Sequence, residues 1–206
     1  MRKIEKRSIF CLILAALLGL GLAFFCFQFV VDGGDWASYP YNRHLYNNAG
    51  QLKGGTILDR DGDMLSTLDE DGNRIYNDDA AVRRATLHAV GDKNGNIGAG
   101  ALTSFADKLS GYNLLTGVYS PLGTGNSLYL TIDAYLNNIA YQALNGMNGT
   151  VGVYNYKTGE ILCMVSTPTF DPANPPDIAA DDPAWDGVYV NRLLSANSIP
   201  APSSRL

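Results

Sequence analysis

An α+β chain carried behind one membrane-spanning helix is what the sequence predicts, on three observations. Residues 9–31 form an unbroken apolar run. Residues 55–76 interleave β-forming residues with Asp-Gly pairs. Residues 127–166 read in succession as a strand, a helix and a hairpin. A composition of 46% hydrophobic and 17% charged residues over 206 positions fits a globular chain, with about 150 residues left to fold once the apolar run and its connector are set aside.

The run Ile9–Val31, IFCLILAALLGLGLAFFCFQFVV, holds one strongly polar side chain, Gln28. As a helix it spans about 34 Å, enough to cross a bilayer. A cleaved signal peptide would carry a shorter apolar stretch and a small-x-small cleavage site, and Phe27-Gln28-Phe29-Val30-Val31 offers none. Arg2, Lys3, Lys6 and Arg7 precede the run and Asp32 and Asp35 follow it. The excess of cations on the N-terminal side predicts residues 1–8 as a cytoplasmic tail, 9–31 as a single-pass plasma-membrane anchor in contact with the lipid bilayer, and everything beyond as extracytoplasmic.

Residues 32–53 mix Gly, Asn, Asp and Tyr without a period and are expected to be an irregular linker. After it, Asp61-Gly62 and Asp71-Gly72 divide apolar β-formers into short strands near 55–59, 63–68 and 73–76. Asp78-Asp79 is placed to cap a short helix in AAVRRATL, and ALTSFADKL at 101–109, closed by Gly111, has the spacing of another. Residues 127–132 alternate as a strand, after which Asp133 caps the amphipathic segment AYLNNIAYQAL. The runs TVGVYNY and EILCMVS flank Lys157-Thr158-Gly159 and predict a hairpin, followed by the Pro-rich loop TPTFDPANPPD and a short helix ending in NRLLSA.

Several function classes are disfavoured. Beyond the anchor, 11 basic residues face 19 acidic ones, a net of −8, without a Lys or Arg cluster to neutralise phosphates, so nucleic acid is not an expected partner. Of three cysteines, Cys11 and Cys26 lie in the apolar run, which leaves Cys163 to a strand as a small core residue. His44 and His88 are far apart and lack Cys or carboxylate neighbours at ligand spacing. No cofactor, metal-binding or catalytic residue is assigned.

Read in order, several segments resemble the class B penicillin-binding proteins, membrane-anchored peptidoglycan D,D-transpeptidases: the apolar anchor; Gly55-Thr-Ile-Leu-Asp-Arg-Asp-Gly62; Leu130-Thr-Ile-Asp133 leading into a helix; Gly149-Thr-Val-Gly-Val153; Lys157-Thr-Gly-Glu-Ile-Leu162; and Ser166-Thr-Pro-Thr-Phe-Asp-Pro172. The resemblance implies a small β-rich non-catalytic module over 54–125 and, over 126–206, the opening helix and β-hairpin of a β-lactamase-like transpeptidase domain. It also implies penicillin binding, and peptidoglycan or its precursors and cell-wall assembly proteins as partners. Gly54 departs from the family, which usually carries Arg at that position.

The family's chemistry requires Ser-x-x-Lys, Ser-x-Asn and Lys-Thr-Gly in that order, with Ser one helical turn before the Lys that takes its proton. None of the six lysines, at 3, 6, 53, 93, 108 and 157, has Ser three positions earlier. Lys157-Thr158-Gly159 spells the third motif but stands in a hairpin turn, and Ser195-Ala196-Asn197 spells the second before any first. Family members continue Asn-Arg-x-Leu into Pro-Gly-Ser-x-Phe-Lys, whereas this chain runs from Asn191 to Pro200 and then Ala-Pro-Ser-Ser-Arg-Leu206. With the codons ATA CCG GCT CCA TCT TCA AGG CTG for Ile199 to Leu206, one C restored after ATA CC yields Ile-Pro-Gly-Ser-Ile-Phe-Lys. The expectation is therefore a transpeptidase chain truncated just before its nucleophile. The alternative is a non-catalytic, membrane-tethered interaction module of cell-wall assembly.

Overall fold

The computed structural model describes residues 2–37, 39, 41–111, 125–179 and 182–195. The apolar run lies inside one continuous helix, α1 (Arg2–Ala37), which extends past the expected 9–31 at both ends. Its last turns contain Gly33-Gly34, a pair that weakens a helix, yet the helix persists to Ala37. There Asn42 closes it, its Nδ2 donating to the Trp36 and Ala37 carbonyls at 2.7 and 3.2 Å. From Lys6 to Ala37 the helix is long and apolar enough to cross a membrane.

The segment expected as an irregular linker has a packed role instead. A single 3-10 turn, Arg43–Leu45, leads to an isolated bridge between Tyr46 and Leu52, and Leu45 and Leu52 are both buried. Two leucines spaced by polar residues give no periodic signal, so their burial is a tertiary event.

Next come β1 (Ile57–Leu58), β2 (Met64–Leu68) and β3 (Arg74–Tyr76), with the two Asp-Gly pairs at the turns as expected. The carboxylates of Asp59 and Asp69 accept backbone N–H groups two to four residues onward and so hold those turns. Helix α2 (Ala80–Val90) is capped by Asp79, whose carboxylate accepts from Ala81 N at 2.8 Å. The expected helix over 101–109 is broken at Phe105 into α3 (Ala101–Ser104) and α4 (Ala106–Leu109). Thr103 and Ser104 compete with helical hydrogen bonding, and the Ser104 hydroxyl donates to Gly98 O.

Of the strand expected over 127–132, only β4 (Leu128–Tyr129) forms. It pairs in parallel with β1, Ile57 opposite Leu128, and β1 itself turns away at Asp59. The sheet order is β3-β2-β1-β4. Helix α5 (Ala134–Leu144) follows, with Asp133 accepting from Leu136 N at 2.9 Å. Strands β5 (Gly149–Tyr154) and β6 (Ile161–Thr167) make the expected antiparallel hairpin. In place of the expected short helix, residues 191–194 form a single turn closed by Leu194 N to Asn191 O, because their other polar groups are engaged with β6 and α2. The mixed helix and sheet content matches the expected α+β class.

Among the described residues, burial gathers apolar side chains into three clusters. The largest joins Leu45, Leu52, Ile57, Leu65, Val90, Leu102, Leu109 and Ile132; at about 1.5–3 kcal/mol for each large side chain removed from water, it dominates stabilisation of this half. Another packs Ala140, Cys163 and Val165 between α5 and the hairpin. The third joins Leu87 of α2, Ile97, Phe170 and Val188, segments far apart in sequence. The outer edge of β6 is closed by a side chain: Asn137 of α5 accepts from Met164 N at 3.0 Å and donates to Asp133 O at 2.7 Å.

Candidate functional site

The densest convergence of polar groups from distant segments is the seat of Asn191-Arg192, where α2, β6 and the 186–194 turn meet. Asn191 is buried; its Nδ2 donates to His88 O at 3.1 Å and lies 2.8 Å from Met164 Sδ. The main-chain N–H of Arg192 donates to Ser166 Oγ at 3.1 Å. Its guanidinium donates from Nε to Thr167 O at 2.9 Å and from Nη2 to Asp186 O at 3.0 Å.

His88 grips the same turn from the α2 side. Its Nε2 is 2.8 Å from Val188 O, and a carbonyl only accepts, so Nε2 carries the hydrogen. Nδ1 is then a bare acceptor, buried without a hydrogen-bond partner among the described residues. Burial pulls the His88 pKa below its ordinary value, and nearby Arg192 adds to the effect. The imidazole is therefore held neutral.

A second tie lies beside this seat. Arg83 of α2 donates to both carboxylate oxygens of Asp171 in the Pro-rich loop, at 2.7 and 2.6 Å, and to the Asn77 and Asp78 carbonyls, both at 2.8 Å. The hydrogen bonds from Arg83 hold the Asp171 carboxyl below the usual carboxylate range, and those to Asp171 raise the guanidinium. A third tie joins Asp59 to α5: buried, it accepts from Asp61 N and Asp63 N through Oδ1 at 2.9 Å each and from Ala134 N through Oδ2 at 3.2 Å.

Gly54, where the resemblance led us to expect Arg, adopts φ +132° in a corner filled by another cation. Arg74, buried on β3, donates to the carbonyls of Gly55, Gly54 and Leu52 at 2.8, 3.2 and 3.3 Å. Burial lowers its pKa to about 10.

Lys157-Thr158-Gly159 occupies the β5–β6 turn. Asn155 accepts from Lys157 N at 3.0 Å through its side chain and from Gly159 N at 2.7 Å through its carbonyl, and Gly159 has φ +79°. Lys157 is exposed, with its ammonium 5.7 Å from the centre of the Tyr156 ring. Of Ser195-Ala196-Asn197, Ala196 and Asn197 lie outside the described residues, as does the tail 196–206. Cys163 is buried in the hairpin core with its thiol pKa raised by burial. Among the described residues of the polar seat, no Ser stands against a Lys or a His ring nitrogen. Its geometry positions a chain segment.

No family model matches the chain. Among curated proteins, the peptidoglycan D,D-transpeptidase MrdA of Acinetobacter baumannii is 46% identical over 48 residues, 23% of this chain and 7% of the relative. MrdA of Haemophilus influenzae is 41% identical over 51 residues, 25% of this chain and 8% of the relative. A crystal structure of Pseudomonas aeruginosa PBP2 in complex with WCK 5153 superposes with a TM-score of 0.50 at 23% identity, over 69% of this chain and 34% of that one. These similarities support the resemblance to the class B penicillin-binding proteins. The matched segments span under a tenth of the curated relatives' own length. The apolar N-terminal helix is consistent with a membrane-anchored protein.

The seat described above was half legible in sequence. Asn191-Arg192 belonged to the resemblance, and Asp79 and Asp133 were recognised as caps. The roles of His88, Arg83, Asp171 and Asn137 were missed. A buried His or Asn leaves no periodic signature, and the partners of Arg83 and His88 lie 88 and 100 residues away.

Proposed function

We propose that this chain comprises the anchor, the non-catalytic module and the first elements of the catalytic domain of a serine D,D-transpeptidase that cross-links peptidoglycan stem peptides. In this reading residues 1–8 are cytoplasmic, 9–31 span the plasma membrane, and residues beyond 32 face peptidoglycan precursors and assembly partners. The non-catalytic module ends near residue 125.

The observation that carries the reading is the paired grip on Asn191-Arg192. β6 and α2 hold these residues at the end of the hairpin, and in the family they immediately precede the nucleophile-bearing helix. The chain as written does not perform acylation. No Ser precedes a Lys by three positions anywhere in it, so no amine is placed to activate a hydroxyl.

Fluorescent penicillin tests this directly. The purified full chain yields no labelled band after denaturing electrophoresis, whereas a version with the missing base restored and the alternate frame continued is labelled. A labelled band from the chain as written overturns the inactivity. An unlabelled restored chain whose continued frame lacks Ser-x-Asn and Lys-Thr-Gly overturns the transpeptidase assignment.

A further inference from the structure

We propose that the membrane-proximal end of the non-catalytic module, around Phe105 and Lys108, rests in the outer headgroup layer of the same bilayer that α1 crosses, so that a glycerophospholipid surface is its partner. The inference depends on the reading of α1 as a membrane span.

Height along the membrane normal places this end of the module. The apolar run ends at Val31, and at 1.5 Å per residue Gly33 stands about 3 Å further along the axis. The headgroup layer on each side of the hydrocarbon is about 5–8 Å deep, so Gly33 lies within it. From Lys6 to Phe27 every residue of α1 is exposed, whereas Gly33 is buried. The elements α1 and α4 are in contact, and with Lys6 to Phe27 all exposed that contact falls on the last turns of α1, where Gly33 is buried. What packs there shares the depth of those turns.

Among the described residues, no spacer lifts the module away. Asn42 folds back onto the last carbonyls of α1, and three residues later Leu45 is already buried in the module's main cluster. Leu109 of α4 belongs to that cluster too. The anchor end, the turn after it and α4 are thus one packed unit.

The side chains left exposed at this level suit a bilayer interface. Phe105, between α3 and α4, is 38% exposed, with the Lys108 ammonium 5.4 Å from its ring centre. Trp36, Tyr39 and Tyr41 are 46%, 57% and 85% exposed, and the rings of Tyr39 and Tyr41 lie 5.7 Å apart. Aromatic rings with an apolar body and a polar tip favour the headgroup level, and a Lys beside them places its ammonium among the phosphates. The exported part is acidic overall, so insertion of aromatic rings, and not bulk charge, supplies the attraction.

The chain has two tryptophans, Trp36 and Trp185, so Trp36→Tyr and Trp185→Phe give a silent background in which one reporter is placed. The full chain is assembled in nanodiscs of phosphatidylethanolamine and phosphatidylglycerol carrying quenchers either near the headgroup or deep in the acyl chains. Phe105→Trp is expected to lose about half or more of its emission to shallow quenchers and little to deep ones, given its calculated depth. Lys108→Trp, at an exposed position, is a second reporter with the same expected pattern. Phe24→Trp in the anchor reports the span by deep quenching. Quenching of Phe24→Trp without shallow quenching at 105 or 108 overturns the proposal and leaves the span intact, as when a protein covers the patch or the module stands clear. Absence of quenching at Phe24→Trp removes the span and this inference with it.

Discussion

Severing the tie between Arg83 and Asp171 measures how firmly α2 holds the segment that leads to the Asn191-Arg192 seat. The side chains are 12% and 10% exposed and joined by two hydrogen bonds in fork geometry. Charge-assisted bonds of this kind contribute about 1.5–3 kcal/mol each before desolvation, and partial burial removes much of that gain. A coupling energy near 2 kcal/mol is the resulting estimate. Arg83→Ala is expected to cost about 3 kcal/mol, more than Asp171→Ala, because it also strips donors from the Asn77 and Asp78 carbonyls.

Urea unfolding of the full chain in nanodiscs, followed by Trp185 fluorescence in a Trp36→Tyr background, supplies the four corners of a double-mutant cycle. Trp185 packs against the cluster that contains Phe170, so it senses the loop directly. The pH dependence fixes the sign. Asp171 has a folded pKa below its unfolded value, so its contribution is complete above about pH 4 and is lost as pH falls through the folded pKa. The difference between the wild type and Asp171→Asn therefore persists from pH 7 to 5 and shrinks below 4. A coupling under about 0.5 kcal/mol, within the range of ordinary surface ion pairs, refutes the reasoning.

His88 supplies a separate pH window. Its folded pKa is depressed by burial, so the unfolded chain takes the proton first and stability declines as pH falls below about 6.5. In unfolding curves collected from pH 7.5 to 5, His88→Gln is expected to flatten that slope, and an unchanged slope contradicts the neutral-imidazole assignment. Asp59→Ala leaves three backbone N–H groups without their carboxylate and should cost about 1–3 kcal/mol, with faster amide exchange at Ala134 as its specific sign. Gly55→Ala meets a wall, since a Cβ there would stand 1.8 Å from Asn126 O. Expected destabilisation is about 3 kcal/mol or more, and a thermal midpoint within a degree or two of the parent would show that the 55 and 126 backbones are not so close.

Local rules alone determined a good part of this protein. The apolar run of α1, the Asp-Gly turns, the caps at Asp79 and Asp133, and the β5–β6 hairpin all depend on residues within a few positions of one another, where propensity, capping and periodicity act directly. The absence of a Ser-x-x-Lys pair is likewise a matter of spacing along the chain. Tertiary structure decided the rest. Polar-flanked Leu45 and Leu52 joined the main core, Phe105 broke a helix that its periodicity would have carried through, and the 127–132 strand shrank to the two residues that β1 could pair. Most of all, His88, Arg83 and Asn137 gained their roles from groups distant in sequence. A buried polar side chain must find a partner wherever packing supplies one, and that choice is made only when the chain has closed around it.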